Sequence, residues 1–353
     1  MTRPTRPDGV TDGGTSTGKG PDLASGAAFF VGRRPQMSWA WDMPERQLEF
    51  LRGIDARYFE HVAVSQGALL ESDQRQYAAA AIRVAYGQSL ETLMAFIGAA
   101  VQAPHSTLGW MLSYKNGDLR TVIKDLVGTP PTLDYLHPWI GSEPLKSLAE
   151  QMLALTDQDA DGKDRLARVF ARVWSRWCTE FLDPNEAFEY NSLKHGTRAR
   201  LGGFELFIGP EHQPGVPADL TNMRMFGSSE FGSTFFVAEK LSGALHHYPR
   251  KHSRIWSPDS LAYGLQLMAI SINNVVAILR LMNDDDPRDC EFRVPQDEEA
   301  FDLPWRSTSG VRSMSLDLKL TLENIDAIPS KELESQLRAS RASYIREDRA
   351  EEV

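Results

Sequence analysis

Cysteine is scarce in this chain. Cys178 and Cys290 are the only two in 353 residues, which excludes a disulfide-stapled scaffold and points to two reduced thiols in a reducing compartment. Long apolar runs are lacking as well. No stretch approaches roughly 18 uninterrupted apolar residues, so no transmembrane helix is expected, and the first 26 residues contain no apolar segment of leader length. A cytoplasmic protein without membrane contact is the expectation. There is also no excess of positive charge: 38 Lys and Arg stand against 48 Asp and Glu, a net charge of -10. A chain this acidic is not a general binder of nucleic acid or membrane surfaces, so any polyanion site has to be a local basic patch. No internal repeat is visible.

What the sequence does contain is mostly helical periodicity. Residues 1–27, rich in Gly, Thr, Pro and Ser, cannot bury enough surface to order themselves and read as a disordered tail. Trp39 and Trp41 are expected to plug a core from an extended segment. Apolar spacing of three and four then predicts helices over 44–66 (Leu48, Leu51, Ile54, Tyr58, Val62), 72–102, 143–155, 161–181 and 259–283. Two shorter helical patterns lie around Trp110 and 119–127. Past Gly202 the period changes. Residues 204–208, 233–237 and, less regularly, 245–255 alternate as strands between Gly and Pro turns. Residues 314–322 alternate Leu with polar residues and read as a half-buried strand, and a charged helix covers 330–347. The expected fold is therefore mainly α: a multi-helix orthogonal bundle core over 28–329, with a small antiparallel β element inserted at about 203–256, followed by a charged C-terminal helix and tail over 330–353.

Four constellations carry chemistry. Asp157, Asp159, Asp161 and Gly162 match the first half of a calcium loop, but the twelfth position is Arg168, which cannot ligate. The reading is an acidic helix–helix turn with no metal and no cofactor. Asn273 and Asn274 interrupt the most apolar helix and must find partners, either on a neighbouring segment or in orienting His195 or a ligand. Residues 246–254 form the only dense basic cluster. Adjacent histidines on a strand face opposite sides, so His246, His247 and His252 cannot chelate together. Arg250, Lys251, His252 and Arg254 instead suit phosphate, with Tyr248 available for stacking, or else protect a strand edge.

The fourth constellation is the segment 185–200, NEAFEYNSLKHGTRAR. Asn191 and His195 stand four apart on one helix face. Histidine side chains exchange protons near neutral pH. Lys194, Arg198 and Arg200 supply positive charge for phosphate.

A polar helix carrying Asn and then His one turn later, within a helical core, resembles the HEPN superfamily. The resemblance spans about 70–200 plus 259–283. It implies a dimeric helical domain and metal-independent RNA cleavage in prokaryotic conflict systems, with His195 as general acid or base and Asn191 as its orienting partner. The family's Arg, expected four to six residues before the His, is not there: positions 188–191 are Phe, Glu, Tyr and Asn. RNA is the expected partner and a homodimer the expected assembly. The alternative is a non-catalytic helical interaction or scaffold protein in which the His195 cluster is structural.

Overall fold

The computed structural model describes residues 24–351, apart from 155, 157, 197, 211–212, 214, 217–218, 243–244, 307–310 and 316. Most of the expected tail lies outside the described residues, but its last part does not. Residues 25–27 open strand β1 (Ser25–Val31), which pairs antiparallel with β2 (Arg34–Ala40). The two-residue turn has Gly32 at φ +63°, the left-handed value that glycine supplies without steric cost. A buried amide pins this turn to the core: Gln102 Oε1 accepts from the Gly32 N–H at 3.0 Å, and Gln102 Nε2 donates to the Gly32 carbonyl at 2.8 Å.

The hairpin overturns one expectation. Phe29 and Val31 are buried, while Trp39 and Trp41 are 61% and 71% exposed. Alternation along β2 sends its larger residues outward, and the core contacts come from β1.

The helices follow the apolar pattern closely. The expected first helix is broken at Gly53 into α1 (Met43–Arg52) and α2 (Arg57–Gly67). Then come α3 (Arg75–Gln102), α4 (Thr107–Ser113), α5 (Asn116–Val127), α6 (Pro144–Ala154), α7 (Ala160–Leu182) and α8 (Pro184–Lys194). After the strands, α9 (Pro258–Met282) returns to the core, and α10 (Ser330–Glu351) closes the chain. α3 and α9 are long and apolar enough to cross a membrane, but both are mostly buried against the rest of the protein. They pack along each other, with Tyr86 seated over Gly264, where a Cβ would come within 2.5 Å of the ring.

Asn274 is buried in α9 and bonds one segment, donating to the Arg293 carbonyl at 2.6 Å and accepting from its N–H at 2.8 Å. Asn273 donates to the Glu291 carbonyl at 2.9 Å. The pair thus fastens the chain after α9 and does not orient His195. Asp159 caps α7, accepting from the Gly162 N–H at 2.7 Å. Asp157 lies outside the described residues.

The β structure is larger than expected. Beyond the hairpin there are β3 (Ala199–Leu201), β4 (Phe204–Ile208), β5 (Arg224–Ser229), β6 (Gly232–Ser242), β7 (His246–Ile255) and β8 (Ser313–Met314). They form a four-stranded antiparallel sheet in the order β3-β6-β7-β8 and a separate β4-β5 pair. The described residues show 56% helix, three antiparallel sheets and eight strands, so the protein is mixed α/β rather than mainly α with a small β element. The short Gly- and Ser-rich strands, such as RMFGSS in β5, carry little alternation to reveal them. Conversely, the alternating 314–322 segment is not a half-buried strand. Among the described residues only Ser313 and Met314 pair, with β7, and Leu318 beyond them is 90% exposed.

Candidate functional site

The four-stranded sheet has two chemically different faces, and α8 leads into it. Asp183 caps α8 through the Asn185 N–H, and Pro184 fixes its first turn. The helix turns Glu186 and Glu189, three apart, toward the body of the protein, and leaves Asn191, Lys194 and His195 exposed.

On the inner face, Glu189 is fully buried and satisfied. Its Oε2 accepts from Arg83 Nη2 at 2.7 Å and Nε at 3.1 Å, and its Oε1 accepts from Ser233 Oγ at 2.6 Å and Trp256 Nε1 at 2.7 Å. One carboxylate thereby joins α3, α8, β6 and the β7–α9 junction. Glu186 bonds both Arg83 and Arg254, and these two guanidiniums hold its carboxyl below the usual range against the burial that would raise it.

Next to this quartet lies a pocket of about 280 Å³ bordered by Tyr86, Glu180, Arg254, Trp256 and Trp305. Glu180 accepts from the Tyr86 hydroxyl at 2.9 Å. Burial, and then the nearby charge of Glu186, push its carboxyl up to about 7. Arg254 Nε and Nη1 are buried without a hydrogen-bond partner, although Nη1 is 3.5 Å from Glu189 Oε2.

On the outer face the register pairs Arg200 with Thr234, Thr234 with Ser253, and Phe236 with Lys251. Paired residues project to the same side, and the 2.9 Å contact between the Thr234 and Ser253 hydroxyls agrees. Arg198, Arg200, Lys251, Thr234 and Phe236 line an open groove of about 830 Å³ along the edge strand β3. Phe236 is 61% exposed. The chain leaves the groove through Gly202, at φ +125°, and Gly203, whose Cβ would fall 1.8 Å from the Ser229 carbonyl oxygen. Only glycine permits that approach. Among the described residues, the side chains of Arg198, Arg200 and Lys251 form no ion pair. Most arginines elsewhere are clamped, as Arg33 is by Asp125, Arg34 by Asp118 and Arg52 by Asp285.

The expected site residues are therefore divided. Arg198, Arg200 and Lys251 come together in the groove. Arg250, His252 and Arg254 do not, because alternation turns them to the inner face. Arg250 bonds Glu239 and Ser315, both at 2.9 Å, and Arg254 joins the buried quartet. His252 stacks on Phe235, where burial and then Arg250 lower its pKa. Lys194 lies over the Tyr190 ring at 5.3 Å. His195 is exposed at the end of α8 and is not among the residues lining the groove. Asn191 does not hold the His195 ring. Among the described residues the bond between them is the His195 backbone N–H to the Asn191 carbonyl at 3.3 Å, and the Asn191 side chain faces a small hollow with Glu91, Arg120 and Tyr190.

Sequence reasoning missed Arg83, Tyr86, Glu180, Glu186 and Glu189. A signal was present: Arg83 occupies the apolar stripe of Ala79, Ile82, Tyr86 and Leu90, and Glu180 follows Val173, Trp174 and Trp177 on the buried face of α7. A charge on such a stripe needs a partner. Comparisons with protein-family models, with curated proteins and with solved structures return no match.

Proposed function

We propose that the protein binds single-stranded RNA along the outer face of its four-stranded sheet. The observation that carries this reading is the convergence of Arg198, Arg200 and Lys251, whose side chains form no ion pair among the described residues, beside the exposed ring of Phe236. A backbone-tracking positive groove with an aromatic platform is the combination that binds single strands, because phosphates meet the cations and any base can stack on the ring. A local basic strip of this kind also reconciles polyanion binding with a net charge of -10. The working location for such a protein is the cytoplasm.

Fluorescence anisotropy with a labelled single-stranded RNA at low salt tests the reading. Replacing both Arg200 and Lys251 with Glu should weaken binding at least about tenfold, and Phe236→Ala should cost about 1–3 kcal/mol of affinity. Absence of binding by the parent, or affinity unchanged by the double reversal, overturns the reading and leaves the interaction-protein alternative.

Cleavage of the bound strand, as the HEPN resemblance implies, is a second step. It is favoured by the exposure of His195 at the helix end that feeds β3. His195→Ala should then abolish cleavage of the RNA while leaving affinity and melting temperature nearly unchanged. A parent that binds without cutting, or a variant that still cuts, removes His195 from the chemistry. The dimer that the same resemblance implies is read by light scattering.

A further inference from the structure

The inner-face pocket plays no part in RNA binding, since the sheet separates it from the groove. Its walls are of two kinds. Trp256, Trp305, Leu261 and Pro304 present flat apolar surface, whereas Arg254, Arg312, Ser260 and Glu180 present polar groups. The charges do not cancel around it. Arg83 and Arg254 are matched by Glu186 and Glu189, so Arg312 adds a positive charge at the wall. Opposite, Glu180, held near neutrality by its burial, loses its own negative charge over part of the population. Two nitrogens of Arg254 still lack an acceptor, a deficit that a bound oxyanion would fill.

We propose that this pocket binds a small organic anion with a flat apolar body, its carboxylate or phosphate oxygens directed at Arg254 and Arg312 and its ring set against Trp256 and Trp305. Glu180, with Tyr86 donating to it, hydrogen-bonds the far end of the same molecule. An aromatic wall with a few convergent polar groups is the usual construction of a small-molecule site, and guanidiniums recognise planar oxyanions well.

Isothermal titration of the full chain with benzoate and with phenyl phosphate tests this, with benzyl alcohol and benzylamine as the neutral and cationic counterparts. At least one of the two anions should bind saturably, at least about tenfold more tightly than either counterpart. The tighter of the two identifies the site as one for carboxylates or for phosphate esters. Arg312→Ala, at an exposed position, should weaken that binding about fivefold or more. Ser260→Phe, which fills the pocket without touching the charged quartet, should abolish it while RNA affinity and the circular dichroism spectrum stay those of the parent. The proposal is overturned if neither anion saturates by about 10 mM, if benzyl alcohol or benzylamine binds as well, or if Ser260→Phe titrates like the parent.

Discussion

Lys251 and Arg254 lie three residues apart on one strand and meet opposite fates. Arg254 turns inward, where Glu186 and Glu189 face it. Lys251 turns outward with Arg200 and Arg198 into an open groove where, among the described residues, their side chains form no ion pair, and the Asp317 carboxylate meets only the Lys251 backbone N–H. Strand alternation alone separates them. The comparison shows that a dense basic cluster in sequence is not one site. Cations already neutralised by carboxylates of the protein hold the fold together, whereas those left facing water remain available to something else.

The largest expected effect tests the inner half of that comparison. Glu189→Ala removes the acceptor of Arg83, Ser233 and Trp256 at once and leaves buried positive charge uncompensated. It should cost about 3–5 kcal/mol, the usual penalty for breaking a buried pair from one side, seen as a large drop in the urea midpoint. A loss below about 1 kcal/mol would mean that the quartet behaves like a surface ion pair.

The next effect is smaller and depends on pH. Glu180 has a folded-state pKa of about 7 against an ordinary value of 4.5, so the folded protein holds this proton more tightly than the unfolded chain does. Between those two values the folded state binds more protons, and stability falls as pH rises. From pH 5 to pH 8 this group should withdraw about 1–3 kcal/mol. Glu180→Gln, which keeps an acceptor for the Tyr86 hydroxyl, should flatten that slope and be the more stable protein at pH 8. Parallel pH curves for the two proteins would show that the carboxylate is ordinary.

The smallest effect falls on the outer half. Reversing Arg200 and Lys251 to Glu should shift folding stability by no more than about 0.5 kcal/mol, although it is the change expected to damage RNA affinity most. A larger loss in the denaturation midpoint would place these two side chains in the structural class with Arg254.

Much of the helical scaffold was readable because it depends on local spacing. The expected helices 161–181 and 259–283 differ from α7 and α9 by one residue at either end, since a broad apolar stripe fixes both where a helix lies and what it faces. The hairpin β1–β2 was not readable. Its turn is Gly-Arg rather than Asn-Gly, and what holds it is Gln102, some 70 residues away. The groove was half legible: the basic residues stood out, but only the register of β6 on β7 shows which of them share a side. The quartet was hidden for a related reason. The apolar stripe of α3 says that Arg83 needs a partner, but nothing within α3 or α8 says that it is Glu189, 106 positions away.

Glu189 also constrains how this architecture can be taken apart. The carboxylate that anchors β6 belongs to a helix preceding the sheet in the chain, and its guanidinium partner belongs to the central helix of the bundle. Excision of the strands, or their transfer to another scaffold, would carry Ser233 and Trp256 away with nothing to accept their protons. The two halves are thus expected to have been inherited together and to melt in one step, rather than behaving as a helical platform with a detachable sheet.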